Sequence, residues 1–255
     1  MKAARYNSRS KPERLWFDEL SMKEADNCAR DGKVVILPIG SVEEHGQHLP
    51  LCTDSVQPEY VATEVAKKTG CIIAPTLKYG VCNSTRNFPG TISIQFDSLR
   101  TVTRDILEEL IRNGHRKILV LSGHAEQAHM AALRLAAQEA LRHVEKGGVP
   151  EKPRILVCSD YDFAYELKGK YFDERDGHAG IIETSRVMAI RPDLVKTRVK
   201  GSYAKLPRFE IVPDLESYFP SGVIGDPTKA SVEKGKMINN YVVEQVTKLV
   251  EELKR

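Results

Sequence analysis

Three short stretches hold most of the residues able to do chemistry. The first, Gly40 to Asp54, carries Glu43, His45 and Asp54 directly after an apolar run. Glu43 and His45 are two apart, so in an extended segment both side chains point to one side. Asp54 follows a loop containing Gly46 and Pro50 that can fold it back over them. Two carboxylates and an imidazole suit zinc, manganese or ferrous iron. The same residues would also serve as a polar loop that caps the next helix. The second stretch, Ser122-Gly123-His124-Ala125-Glu126, delivers His124 and Glu126 at the same spacing after another apolar run. Gly123 there permits a sharp turn and a close backbone approach. Together Glu43, His45, Asp54, His124 and Glu126 are enough to hold two divalent ions that share one carboxylate. Asp54 is the expected bridge, because a carboxylate offers two oxygens on one short, stiff stem.

The third stretch, Asp176 to Ser185, places His178 among glycines just before a helical run from Glu183 to Ile190. A histidine there suits general acid or base work, since its pKa lies near neutrality. Glu183 has three open roles: holding the His178 tautomer, completing a metal shell, or pairing with Arg186. His48 could orient a ligand carboxylate or be a buried structural histidine. Ser122 is expected beside the ligands or the substrate. Arg86 could bind an anionic substrate group, since guanidinium forks match carboxylate and phosphate; the alternative is a solvated surface arginine.

The elements around these stretches alternate. Apolar runs at Lys33–Gly40, Cys71–Leu77, Lys117–Leu121 and Arg154–Ser159 read as buried strands. Helices are expected from Asp54, as cap, to about Lys68, from Asp97 or Ser98 to Asn113, over Ala125–His143, and over 229–254. The first of these helices should bury Val56, Tyr60, Val61, Val65 and Ala66. Strands apolar throughout, alternating with helices, imply a mostly parallel sheet covered on both faces, a three-layer α/β/α sandwich. In such sheets ligands bind beyond the carboxyl ends of the strands, where the first two stretches fall. The stretch 147–150 reads as a surface loop, and Ser202 to Pro227 as a long ordered loop or interface element.

The chain of 255 residues is 41% hydrophobic and 29% charged, an ordinary globular composition that suits one α/β domain over 15–255. Residues 1–14 read as a flexible arm, basic but without the apolar core of a secretory signal. Basic residues exceed acidic ones by +3 only, which argues against nucleic acid as a partner. No apolar run reaches the ~18 residues of a membrane span. Five cysteines without a CxxC pair read as reduced thiols of a cytoplasmic protein.

The blocks Gly40-Ser41-x-Glu43-x-His45-Gly46-x-His48-Leu49-Pro50 with Asp54, Gly123-His124-x-Glu126, and His178-Ala179-Gly180-x-x-Glu183-Thr184-Ser185 resemble the creatininase family. Phe88-Pro89-Gly90-Thr91-Ile92 and Gly222 to Ala230 agree with it. The resemblance implies an α/β/α sandwich with a dinuclear metal centre, one ion on Glu43, Asp54 and His124 and the other on His45, Asp54 and Glu126. It implies ring-like homo-oligomers, often hexamers, and hydrolysis of C–N bonds in small cyclic amides or formamides. Members include creatininase itself, a formamidopyrimidine deformylase of flavin and deazaflavin biosynthesis, and a peptidase-like protein. Creatininase proper has a glutamate where this chain has Gly177, and lid tryptophans where this chain has only Trp16. The substrate pocket therefore departs from creatininase while the metal shell follows it.

The expected chemistry is attack on an amide carbonyl by a hydroxide bridging two divalent ions, zinc being the first expectation, with His178 protonating the departing nitrogen. A dinuclear phosphoesterase would need a clamp of several basic residues, and only Arg86 and Arg175 lie near the motifs. A purely structural metal usually takes sulfur ligands, and none of the five cysteines is expected among the ligands. A nucleotide-binding oxidoreductase lacks its Gly-x-Gly-x-x-Gly turn after the first strand.

Overall fold

A computed structural model describes residues 14–146, 152–197, 200–207 and 209–255. The expected N-terminal arm, apart from Arg14, and the expected loop at 147–150 lie outside the described residues. Helix α1 (Met22–Arg30) starts with a capping box between Ser21 and Glu24. The elements then alternate: β1 (Val35–Ile39), α2 (Thr53–Thr69), β2 (Ile72–Ile73), α3 (Phe96–Arg112), β3 (Lys117–Ser122), α4 (Gln127–Lys146) and β4 (Arg154–Ser159). The short α5 (Tyr161–Ala164), then α6 (Ile181–Ile190) and α7 (Val232–Lys254) complete the chain.

The four strands are parallel in the order β2-β1-β3-β4. Side chains alternate between two cores, as the strand period of two requires. Val34, Ile36, Leu119 and Leu121 pack with α2 and α7 residues such as Val61 and Val242. Val35, Leu37, Ile118 and Val120 pack on the other face with Leu107 of α3 and Leu133 of α4. Each fully buried side chain of this size contributes about 1.5–3 kcal/mol. The result is the α/β/α sandwich expected from the alternation. The register pairs Ile39 with Ser122 and Ser122 with Ser159, so β1, β3 and β4 end at one level. The candidate ligands start from that edge.

Several boundaries differ from expectation, each for a physical reason. The second strand pairs only at Ile72–Ile73, because Pro75 has no N–H for the ladder; an isolated bridge joins Leu77 to Ile39 further on. Cys52, not Asp54, occupies the cap position of α2. Asp54 lies in the first turn, where its side chain takes a hydrogen bond from Ser41 instead. In α2, Val61, Val65 and Ala66 are buried, whereas Val56 and Tyr60 are only half-buried. Helix α4 starts at Gln127, two residues later than expected, because Ala125 and Glu126 belong to the turn after β3. Helix α7 starts at Val232 behind a Ser231 cap, and Pro227–Lys229 form a separate 3-10 turn. Between 202 and 227 the described residues are irregular apart from short turns such as Leu215–Tyr218. Among the described residues no helix is long and apolar enough to cross a membrane.

Candidate metal centre and active site

Two glycines let α2 approach the strand ends. A Cβ on Gly123 would lie 2.1 Å from the Asp54 carbonyl oxygen, and one on Gly40 would lie 2.6 Å from it. Neither position has room for a side chain. The first turn of α2 is thereby seated between the ends of β1 and β3, with Asp54 buried there.

Asp54 faces a histidine with each oxygen. Its Oδ1 lies 3.1 Å from His45 Nε2, and its Oδ2 lies 2.9 Å from His124 Nδ1. Glu43 Oε2 is 3.0 Å from the same His124 nitrogen, and Glu183 Oε2 is 3.5 Å from His45 Nε2. Both imidazoles are anchored from behind by a backbone carbonyl. His45 Nδ1 is 3.1 Å from the Glu43 oxygen, and His124 Nε2 is 2.9 Å from the Val81 oxygen. A carbonyl only accepts, so each anchored nitrogen donates its proton. In a neutral ring the other nitrogen then presents a lone pair to two carboxylate oxygens. That arrangement calls for a cation between them, either a proton on each ring or a metal ion. Neutral hydroxyls support the carboxylates: Ser41 Oγ donates to Asp54 Oδ2 at 2.6 Å, and Thr85 Oγ1 donates to Glu43 Oε1. These donor types and their carbonyl backing fit divalent ions such as zinc or manganese.

The electrostatics agree. Burial opposes charge on His45, yet Asp54, Glu183 and Glu43 outweigh it and raise its pKa well above the usual value. Burial opposes charge on His124 too, and Glu43 and Asp54 again outweigh it. Burial would raise the Asp54 and Glu43 carboxyls, but the neighbouring histidines hold both below the usual range.

His178 stacks beside His45 with ring centroids 4.4 Å apart. Its Nε2 lies 2.8 Å from the Glu44 carbonyl oxygen and 3.1 Å from Glu44 Oε1. Burial and His45 lower its pKa, and the Glu44, Glu43 and Glu183 carboxylates more than compensate. The loop holding it is tied to the 222–225 turn by Gly177 N–H to Ile224 O and Ile224 N–H to His178 O, at 2.9 and 2.8 Å. Ala179 next to it has φ 53°, a left-handed conformation costly for a residue with a Cβ. Its N–H donates to Glu183 Oε2 at 2.6 Å.

The sequence-predicted residues divide accordingly. Glu43, His45, Asp54, His124, His178 and Glu183 come together in one cleft of about 240 Å³. Glu126 lines the same cleft, but its Oε2 accepts from Ser84 N–H and Oγ, both at 3.1 Å. Arg186 pairs with Asp160 at 2.6 Å and donates to Asn239, while Glu183 turns to His45 and Ala179. His48 is buried with its Nε2 2.9 Å from Thr184 Oγ1. Ser122 bonds the His124 backbone, giving its proton to the carbonyl at 2.7 Å and accepting from the N–H at 3.1 Å. Arg86 is exposed and is not among the residues lining the cleft.

Three residues escaped sequence reasoning. Glu44 adjoins the motif on its opposite side and nonetheless reaches His178. Cys82 lies within 4.8 Å of the Glu43 and His124 donor atoms, so one cysteine does neighbour the ligands, against expectation; no spacing signals it. His129 sits behind His124, ring centroids 4.8 Å apart, and in sequence it reads as an ordinary histidine on a helix. The remaining cleft wall is apolar and aromatic: Tyr161, Tyr165, Leu206, Phe219 and Ile224.

Comparison with known proteins matches residues 18–250 to the family model described as "Creatininase: Creatinine amidohydrolase". The chain is 29% identical over 254 residues to creatinine amidohydrolase of Pseudomonas putida, covering 93% of this chain and 96% of the relative. It is 31% identical over 218 residues to mycofactocin precursor peptide peptidase of Mycobacterium ulcerans (strain Agy99), covering 80% and 79%. Among solved structures, a manganese form of creatininase superposes with TM-score 0.86 at 28% identity, covering 94% of this chain and 98% of that one.

Proposed function

This chain belongs to the creatininase (creatinine amidohydrolase) family, and from that premise we propose that its cleft hydrolyses a C–N bond of a small cyclic amide or formamide with two divalent ions. The observation that carries this reading is Asp54, whose two oxygens face two histidines that are each anchored by a backbone carbonyl. Glu43, Asp54 and His124 would hold one ion. His45, Asp54 and Glu183 would hold the other, because Glu183 reaches His45 while Glu126 bonds Ser84. Bound there, the ions supply a nucleophilic water near neutral pH and polarise a substrate carbonyl.

The protein's own groups do the rest. Glu44 accepts the hydrogen bond of His178 Nε2–H and fixes the ring, so that Nδ1 of the protonated imidazole can hand its proton to the departing nitrogen. Without that proton, expulsion of an amine anion is prohibitive. Tyr165, Leu206, Phe219 and Ile224 give the cleft an apolar and aromatic wall on which a small substrate can pack. Glu126, already accepting from Ser84, offers a carboxylate to an N–H of the substrate. Among the described residues lining this cleft none is Lys or Arg, whereas a phosphate ester would call for a clamp of several basic groups. Five free thiols suit a reducing cytoplasm, and a homo-oligomer, as a hexamer, completes the proposal.

Elemental analysis of protein purified without chelator tests the reading. Two equivalents of metal per chain are expected, and Asp54→Asn should lose both along with amidase activity. Negligible metal that does not return on reconstitution would overturn it.

A further inference from the structure

A closed hydrogen-bond ring lies behind the first ion site. His124 Nε2 donates to the Val81 carbonyl at 2.9 Å. The N–H of the same Val81 donates to His129 Nδ1 at 3.3 Å. His129 Nε2 is 3.1 Å from Ser122 Oγ, and Ser122 Oγ spends its single proton on the His124 carbonyl at 2.7 Å. A hydroxyl has one proton. His129 Nε2 must therefore donate to Ser122, and His129 Nδ1 must be bare, as the Val81 N–H requires. Every member of the ring has one consistent assignment. His129 is fully buried, and its Nδ1, which accepts the Val81 N–H, carries no proton. A Cβ on Gly80 would fall 2.8 Å from His129 Nδ1, so the chain is shaped around this ring.

We propose that His129, acting through Val81 and Ser122, is the positioning residue that fixes which nitrogen His124 presents to its ion. His129 holds the Val81 N–H and, through Ser122, the His124 backbone, while the peptide of the Val81 carbonyl is held at its other end by Cys82 N–H, which donates to Ser93 Oγ at 2.9 Å, so His124 keeps Nδ1 aimed at Glu43 and Asp54. The proposal rests on the two-ion reading above. His129 is not among the residues lining the cleft and stands away from the His124 Nδ1 that faces Glu43 and Asp54.

The test compares His129→Leu with His129→Gln by competitive chelator titration with zinc. A group that orients a ligand from behind typically contributes 10–100-fold in metal affinity. His129→Leu should weaken one ion by that factor and leave the second near its wild-type affinity, and the amide of His129→Gln should recover most of the loss. Heteronuclear NMR of the zinc-loaded protein should find the metal on His124 Nδ1. Unchanged affinity for both ions in His129→Leu, equal loss of both, or zinc on Nε2 would overturn the proposal. Should His129→Leu fail to fold, Ser122→Ala, which removes the acceptor, carries the same expectation. If wild-type protein binds no ion, the two-ion reading fails by itself. The ring is then read in metal-free protein, where a protonated His129 Nε2 is expected and a protonated Nδ1 would overturn it.

Discussion

His178 is held at two oxygens of one residue: its Nε2 meets the Glu44 carbonyl at 2.8 Å and the Glu44 carboxylate at 3.1 Å. The carboxylate is itself fixed, since Oε2 accepts from Gly46 N–H at 2.9 Å and a Cβ on Gly222 would fall 2.0 Å from it. Glu44→Gln keeps the shape and the carbonyl but removes the charge. We expect it to lower kcat about tenfold or more, within the range of general acid–base effects, with little change in KM. If protonated His178 is the acid, activity falls as pH rises through its pKa. Removing the Glu44 charge lowers that pKa, so the alkaline limb of kcat should move to lower pH. A limb that stays in place would remove His178 from the acid role.

Glu183 and Glu126 separate by what they touch. Glu183 Oε2 lies 3.5 Å from the His45 nitrogen that faces Asp54, and Glu126 Oε2 lies against Ser84. Glu183→Gln should therefore lose one of two ions, and Glu126→Gln should keep both while raising KM. Elemental analysis and steady-state kinetics on the two variants decide it. Loss of an ion from Glu126→Gln would return that residue to the metal shell.

The difference between those glutamates shows where sequence reading stopped. Glu43 and His45 stand two apart on an extended segment, and both reach the cleft. His124 and Glu126 have the same spacing and both line the cleft, but Glu126 Oε2 is turned to Ser84. Glu183 faces His45 and also accepts the N–H of Ala179, which adopts φ 53°, a conformation that an alanine does not announce. The parallel sheet was legible from strands apolar on both faces, and Asp54 from the end of the first strand. Cys82 and His129 arrive through tertiary packing, from a loop and from a helix face, and carry no local pattern.

Gly123 tests the seating of α2. A methyl group there would meet the Asp54 carbonyl at 2.1 Å and Pro58 Cδ at 2.5 Å, and backbone and a proline ring yield little. Gly123→Ala should cost about 1–3 kcal/mol, the usual range for overpacking a filled site. It should also displace Asp54 and weaken both ions together, unlike a loss confined to one. Chemical denaturation with parallel metal titration measures both effects. Full stability with intact metal binding would mean that the first turn of α2 is free to move.

Metal-free protein should lose stability as pH rises. His45 and His124 are held above the ordinary histidine pKa of about 6.5, burial being outweighed by Asp54, Glu43 and Glu183. A raised histidine pKa contributes stability that is complete below about 6.5 and fades as pH climbs through the folded-state value. The Asp54 and Glu43 carboxyls are lowered, so their contribution holds above the ordinary carboxylate range and fades only as pH falls through their depressed values. The chelated protein should thus have its highest Tm between the carboxylate range and about 6.5, and its Tm should fall above that window. Zinc takes the place of both protons, so the loaded protein should hold its Tm, or gain, over the same alkaline range. Calorimetry across pH with and without zinc measures the contrast. A chelated protein whose Tm is flat from pH 6.5 upward would show that the two imidazoles are not shared protonation sites of this carboxylate cluster.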